Sequence, residues 1–516
     1  MEAKQVYLYE ILGGRQQFIV PRFQRYYSWE LKNWKQMWED LTVLLQSNGP
    51  AQHFIGSFVS KPTEVAPYSQ FPSFELIDGQ QRLVTLTLLL CAIRDLATNL
   101  GETNLAEQIY DDYLRHRHGI GSKEFKIIPR TPDRDTLTAL IQKRRVIPDG
   151  RIKQSYDFFH SRLEKFTEKK TPATVSPLLR SLFEAITMKL SLVMITLSHT
   201  DNPYKIFSSL NATGAELTEA DLIRNQVFTL VQLDKQQEFD DTIWAPFENK
   251  LPKLRDGAPD GEAITKFYRD YLMCSLARTE TNTKEIFVRP RETYMKFVDY
   301  SSRYGSDNIK LVRDMSHHAD YYMAITKGQE INPDLLAIFE RLHALNVTTA
   351  YPLILHWYEL YDSSKLAFQE FQAMLLALES FVVRRSIVRA RTKGYGEQFL
   401  TLIKDVATLQ NLKDQLRKLD FYGWPSDEQI RAALAKFEFY RHIKSKARLA
   451  IYRRIELSYK HKEVVNFHRI SVDHVMPQKL TDEWRKMLGP DASRIHSTYV
   501  HNIGNLTLTG CANGIV

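Results

Sequence analysis

Residues able to do chemistry gather in two short stretches far apart in the chain. In the first, the apolar run Phe74-Glu75-Leu76-Ile77 ends at Asp78-Gly79-Gln80-Gln81-Arg82, and Leu83-Val84-Thr85-Leu86 opens a second apolar run. This pattern predicts a strand, a tight turn and a buried helix. Asp78 is a good N-cap, and Gln81 three residues later completes a capping-box pattern. The first N–H groups of such a helix, with Arg82 beside them, form an anion site, and phosphate is the usual anion. A capped core helix with one surface arginine accounts for the same spacing. In the second stretch, Ile470-Ser471-Val472-Asp473-His474 reads as a strand ending in an acid and a histidine, with Trp484 and then His501-Asn502-Ile503-Gly504-Asn505-Leu506-Thr507-Leu508 further on.

Other segments could position these residues. Gln17-Phe18-Ile19-Val20 leads into Pro21-Arg22-Phe23-Gln24-Arg25-Tyr26-Tyr27-Ser28-Trp29, an extended entry followed by clustered arginines and aromatics. Arg22 and Arg25 can hold phosphate, and Phe23, Tyr26 and Trp29 can stack or pack. An aromatic core corner with surface arginines has the same composition. His53-Phe54-Ile55-Gly56-Ser57-Phe58-Val59 reads as a strand whose glycine lets another backbone or a ligand come close. Val6 to Leu12 reads as a strand or a short helix, residues 100–190 as mostly helical, and 191–197 as a further strand. Around Leu210-Asn211-Ala212-Thr213-Gly214 a turn is expected, followed by a helix capped by Thr218 with Asp221.

Asp78-Gly79-Gln80-Gln81-Arg82, the Pro21-to-Trp29 block, His53-Phe54-x-Gly56-Ser57, and the Phe207-to-Asn211 and Asp221-to-Asn225 strings resemble the GmrSD/SspE-like bacterial anti-phage defence family. Its N-terminal domain has a ParB/sulfiredoxin-like fold. The resemblance implies that Asp78, Gln80, Gln81 and Arg82 turn over a nucleoside triphosphate, GTP for choice, with Mg²⁺. It makes Arg22, Arg25, Asn211, Asp221 and Arg224 candidates for the nucleotide pocket. Phe23 and Gln24, with Tyr26 and Trp29, would sense modified DNA; Phe23 stands where tyrosine is commoner. The small aromatic set favours a backbone sulfur over a sugar, which needs more polar partners. Asp473-His474-x-x-Pro477 with Gly504-Asn505-Leu506-Thr507-Leu508 resembles the HNH (ββα-metal) nuclease motif at the C-terminus of the same family. By that resemblance His474 is the base, Asp473 the ligand of Mg²⁺ or Mn²⁺, and His501 and Asn505 orient the base and hold the loop.

Composition is compatible with this. The chain has 516 residues, 43% hydrophobic and 25% charged, with a net charge of +8. That length suggests roughly two to four domains, and the mild basic excess permits a nucleic-acid partner. The reading is 1–240 for nucleotide binding and sensing, 241–455 helical, and 456–516 nuclease, with a linker at 246–261; the fold class is α+β, predominantly helical. Arg441 to Lys462 carries eight Lys or Arg and one acid, Glu456, either a solvated face or a phosphate-backbone contact. Arg115-His116-Arg117-His118 reads as a solvated basic helix end rather than a metal site. Cys91, Cys274 and Cys511 form no disulfide or zinc pattern, which suits the cytoplasm. No signal peptide or membrane span is expected. The implied partner is double-stranded, modified DNA, with modification enzymes encoded elsewhere and a homo-oligomer admitted. One departure stands out: seven residues follow Thr509, too few for the helix that completes a ββα site. The expectation is therefore a truncated nuclease unit with little activity unless Asn513 substitutes. The competing reading is a nucleotide-switched DNA-binding regulator.

Overall fold

The computed structural model describes residues 2–46, 52–63, 70–131, 133–168, 170–198, 201, 218–232, 235–254, 257, 259–280, 282–304, 307–405, 408–418, 423–460 and 470–510. The fold is α+β and predominantly helical. Two compact units form: Met1–Ala245 with Pro252–Ile264, and Pro246–Leu251 with Thr265–Val516. The described residues of the stretch expected to be a linker form structure instead. It contains the helix Ala245–Lys250 and a bridge between Lys253 and Pro259. Phe247 and Leu251 are buried there, and those two apolar anchors outweigh the Pro, Gly and charge around them.

The first unit is built on a six-stranded mixed sheet. Its strands are β1 (Glu2–Tyr7), β2 (Gln17–Ile19), β3 (His53–Pro62), β4 (Ser73–Asp78), β5 (Ile127–Ile128) and β6 (Leu190–Thr196), in the order β1-β6-β3-β4-β2-β5. The stretch Val6 to Leu12 proves to be both things expected of it: β1 ends at Tyr7 and a helix runs Leu8–Leu12. β4 lies inside the sheet, antiparallel to β3 and parallel to β2. From its end the helix Gln80–Asn99 enters the core, with Leu83, Leu86, Leu88, Leu89, Leu90 and Ile93 all buried. A helix apolar on all sides belongs in the interior. Its buried Thr85 and Thr87 satisfy their hydroxyls on the carbonyls of Gln81 and Leu83, at 2.7 and 2.9 Å, as threonine does inside helices.

The second unit is mainly helical, with long helices at Asn308–Lys327, Tyr351–Asp362 and Phe368–Ile387. At the end of the last, Arg385 is buried and donates to the Tyr395 hydroxyl and the Gly423 carbonyl. This arginine ties down later chain besides suiting a helix C-terminus. The unit's sheet is an antiparallel pair, β7 (Ile470–His474) and β8 (Leu506–Gly510), with His474 opposite Leu506 and Asp473 opposite Thr507. Val472, Leu506 and Leu508 on one face pack with Ala447 and Tyr452 of the helix Ser445–Ser458. Alternation along a strand puts successive side chains on opposite faces, so this apolar face fixes which way the pair lies.

Candidate active sites

The first site begins with the turn after β4. Gly79, not Asp78, is the residue that starts the helix: it is left-handed at φ +91, and no side chain caps the N-terminus. A Cβ there would also lie 3.2 Å from the Ser57 carbonyl oxygen and from the Phe58 ring. Only glycine meets both demands without strain. The expected capping box is therefore absent, because Gln81 is engaged elsewhere. Its Oε1 accepts from the backbone N–H of Ser28 at 2.8 Å and of Trp29 at 3.3 Å, and its Nε2 donates to the Tyr26 carbonyl at 3.2 Å. Gln80 donates to the Arg25 carbonyl at 3.0 Å. Gln24 returns the contact, with Nε2 on the carbonyls of Leu76 and Ile77. Three glutamine amides thus sew the 21–29 loop to β4 and the helix start, which brings Gln24 and Arg25 beside the signature turn.

Arg82 turns the other way. Its Nη2 donates to the Ser57 carbonyl and stands 3.5 Å from Asp78 Oδ2, while its Nε is buried without a partner. The guanidinium lies over Gly56, where a Cβ would come within 2.5 Å of Nη1. Gly56 has φ +107 and sits at an irregularity in the pairing of β3 with β6. The close neighbour that the sequence assigned to this glycine is thus an arginine side chain. His53 at the start of the same strand lies 3.3 Å from Asp40.

Of the remaining candidates, Arg22 is paired with Asp240 at 2.8 Å and Asp241 at 2.7 Å. Burial works against its charge, but the two carboxylates prevail and hold its pKa above the usual value. Arg224 is buried and donates to the Arg22 carbonyl at 2.7 Å. Asp221 completes a capping box with Thr218. These three brace the unit where the sequence had them facing a nucleotide. Phe23 is buried, Tyr26 lies under the Arg130 guanidinium at 4.2 Å, and Trp29 packs against the core. Arg25 carries no side-chain hydrogen bond or ion pair that occupies it among the described residues. Asn211, with the whole of 202–217, lies outside the described residues, as do Cys511 and Asn513.

Two residues here were not singled out from sequence. Arg130 donates to the Gln24 carbonyl at 2.7 Å. Asp133 accepts from the Tyr27 N–H at 2.6 Å. Both line, with Arg25, Gln80 and Gln81, a cavity of about 10 Å³, room for about one water. Burial pushes the Asp133 carboxyl up to about 6, against the pull of the Tyr27 N–H and Arg130. The Ile-Ile strand followed by Pro129-Arg130 and Asp133 was the available signal, but a two-residue strand has no readable period.

The basic run at 115–118 follows a helix end and is solvated in part: Arg117 and His118 are exposed, whereas His116 turns inward. His116 is buried, stacked on Phe71 at 4.3 Å, with Nδ1 on the Lys123 carbonyl. Arg115 and Arg117 both pair with Asp111.

In the second unit, the predicted nuclease residues do assemble. His474 Nε2 and His501 Nδ1 are 3.3 Å apart. Asn505 lies in the turn Ile503–Asn505, just ahead of β8. Its Oδ1 accepts from the Met476 N–H at 2.7 Å, and its Nδ2 donates to the carbonyls of Met476 and Val500, each at 2.9 Å. Both of its donor N–H groups and one bond to its oxygen go to closing the hairpin. Sequence reasoning missed Tyr440 and Arg448. The Tyr440 ring lies 4.2 Å from that of His474, and its N–H donates to the His501 carbonyl at 3.1 Å. Arg448 lies over the Tyr440 ring at 3.9 Å. Burial, His501 and Arg448 together lower the pKa of His474. Burial and Arg441 do the same for His501. A neutral imidazole that resists protonation can act as a base. Asp473 is exposed and its Oδ1 accepts from the His474 N–H at 2.7 Å. Among the described residues no group of three metal-ligating side chains gathers there, and one carboxylate leaves a divalent ion mostly to its water.

Such a three-ligand group does occur elsewhere, at Asp314, His318 and Glu359. Arg278 already supplies the cation: it reaches Glu359 at 2.9 Å and His318 Nε2 at 3.1 Å. That cluster braces the helical core.

A polar turn braced by glutamines in one unit and a histidine-bearing hairpin in the other agree with what comparison with known families finds. Both ends of the chain match models of restriction endonuclease domains, which fixes the class. The matches are to the GmrSD restriction endonuclease N-terminal domain over residues 8–228 and to the C-terminal domain over 424–513. Together they span more than half of the chain, and the chain belongs to the GmrSD restriction endonuclease family. No curated protein matches it significantly. Among the described residues no helix is long and apolar enough to cross a membrane.

Proposed function

We propose that this restriction protein nicks modified double-stranded DNA with its C-terminal hairpin, and that turnover of a nucleoside triphosphate, GTP for choice, at the Asp78–Arg82 turn drives or licenses the cut. The observation that carries the nuclease half is the His474–His501 contact, in a hairpin closed by Asn505 and beside a tyrosine that Arg448 covers. In the proposed reaction His474 takes a proton from water, the resulting hydroxide attacks the scissile phosphorus, and the bond to the leaving deoxyribose oxygen breaks, that oxygen taking a proton from solvent water. His501 keeps the His474 ring in one orientation and tautomer. Mg²⁺ or Mn²⁺ belongs to the proposal as the charge that neutralises the phosphate. The described residues offer it Asp473 alone, so no step is assigned to it.

For the N-terminal half, the support is Arg82, held over Gly56 with its Nε unpartnered, and Arg25, which lines the small cavity with Gln80 and Gln81. The cavity of about 10 Å³ is too small for a nucleotide, so the phosphates would lie at its mouth, with Asp78 beside them. Gln80, Gln81 and Gln24 then act as positioning groups, and a mark on DNA would be sensed through the loop they hold. Phosphorothioate is the mark proposed; a glucosylated base is the alternative. The single carboxylate at Asp473 favours a second reading, a nucleotide-switched DNA-binding regulator.

The deciding experiment follows conversion of supercoiled plasmid to open circle with Mg²⁺ or Mn²⁺, with and without GTP, on phosphorothioated, glucosylated and unmodified DNA. Nicking that is lost in His474→Ala supports the enzyme. GTP hydrolysis with no nicking on any substrate selects the regulator, and nicking that survives His474→Ala sinks the base assignment.

A further inference from the structure

One cavity in the second unit plays no part in the chemistry above. It holds about 370 Å³, and Arg389, Lys444 and His442 line it with no acidic residue among the lining side chains. Its apolar part includes Val383, Ile451 and Phe437. Phe437 and His442 stack on each other at 5.3 Å with 28° between their planes, which makes a flat wall. That volume is at the low end of the range of about 300–1,000 Å³ for small-molecule sites, enough for one ring and one phosphate. Cations without a carboxylate select an anion, and a flat wall selects a planar ring. Arg389 is left-handed at φ +56, as is Asn346 at φ +58, which also lines the cavity. Both sit just past the ends of the helices Pro333–Ala344 and Phe368–Ile387, where a left-handed residue closes a helix C-terminus.

The cavity shares a short piece of chain with the nuclease histidines. His442 ends the helix Phe439–His442, and Tyr440 in the same turn lies 4.2 Å from His474, ring to ring. Anything that presses on His442 therefore presses on the short helix whose Tyr440 ring lies against His474.

We propose that this cavity receives a single nucleoside monophosphate unit, with its base against Phe437 and His442 and its phosphate at Arg389 and Lys444. The source is a nucleotide of the DNA itself, rotated out of the stack close to the site of cleavage. Extrusion is cheapest where the base is mispaired or damaged, so the cavity is a place where the second unit can examine one nucleotide before it cuts. This rests on the reading that the second unit cleaves DNA.

The test uses the full chain and a fluorescent base. 2-Aminopurine deoxyriboside 5′-monophosphate is titrated free, and the same base is placed in a duplex oligonucleotide whose binding is followed separately by anisotropy. In the duplex, fluorescence should rise on binding as the base leaves the stack. Arg389→Ala with Lys444→Ala should weaken the free nucleotide about tenfold or more, since charge-assisted contacts are lost. Ala390→Trp, which fills the cavity, should abolish both signals, and His474→Ala should keep both. Free nucleotide binding with no rise in bound duplex upholds the cavity and overturns DNA as the source. No binding of the free nucleotide and no rise in bound duplex overturns the proposal, and so do signals that Ala390→Trp leaves intact. Nicking without nucleotide binding rejects the cavity alone; nucleotide binding without nicking rejects the nuclease reading alone.

Discussion

Arg82 and Gly56 act as one device at the scale of single residues. The guanidinium has its place only because β3 offers no side chain beneath it. Gly56→Ala should displace Arg82, and its positive φ adds backbone strain of about 1–3 kcal/mol. The expected result is that Gly56→Ala reproduces the loss of GTP hydrolysis in Arg82→Ala and also lowers stability, as read by phosphate release and urea unfolding. Full hydrolysis in Gly56→Ala would uncouple the two residues. Asp133 makes a different prediction. Its folded pKa, about 6, lies above its ordinary value of 3.8. The stability linked to its protonated form is full below about pH 4 and is lost as pH rises through 6. Two units correspond to about 3 kcal/mol. Asp133→Asn keeps an acceptor for the Tyr27 N–H, so it should be more stable at pH 7 and should flatten the pH dependence between 4 and 6. A variant less stable than the parent at pH 7 would mean that the carboxylate is compensated there. The pair Arg130 and Asp133 lies about fifty residues from the signature turn. Asp133 opens the helix Asp133–Ile141 and reads locally as nothing more than a helix start.

At the scale of elements, the loop at 21–29 is held by side chains that belong to its neighbours. Gln81→Ala would leave the N–H groups of Ser28 and Trp29 without their shared acceptor, a loss of about 1–3 kcal/mol. Urea unfolding should show that loss, and proteolysis should open the loop first. Arg82→Ala should leave the unfolding midpoint nearly unchanged while hydrolysis falls, so the two variants separate support from chemistry. If Gln81→Ala unfolds as the parent does, its role is not structural. The same element shows what the sequence could convey. Strand, turn and helix at 74–99 were legible from the switch of hydrophobic period, and β6 and β7 likewise. The cap was not. Asp-Gly-Gln-Gln satisfies a local capping pattern, but Gln81 gains more from two loop N–H groups than from its own helix end, and such a tertiary choice leaves no local trace. Tyr440 and Arg448 escaped for the same reason: they precede the His474 motif and reach it only through packing.

At the scale of the whole molecule, a net charge of +8 makes any DNA affinity salt-dependent. Lys446, Arg454 and Lys460 are exposed cations on or just beyond the helix Ser445–Ser458, next to the hairpin that carries His474. If they meet phosphates, each neutralisation to Gln should reduce the slope of log affinity against log salt by about 0.9. Filter binding over a salt series measures it, and an unchanged slope in the triple variant would make this a merely solvated face. The predominantly helical α+β character was legible from composition and periodicity. The Pro- and Gly-rich stretch at 246–261 conveyed less, because its composition hides the buried Phe247 and Leu251.

That stretch has a consequence for synthesis and dissection. The first unit includes Pro252–Ile264, while Pro246–Leu251 belongs to the second. On the ribosome, the N-terminal half therefore waits for its last thirteen residues while six destined for its sibling have already emerged. No single cut in the gene yields two intact halves, since any such cut leaves one fragment short of a piece or carrying a piece of the other. A split pair made by cutting after Ala245 should recover its fold only when both fragments are produced together.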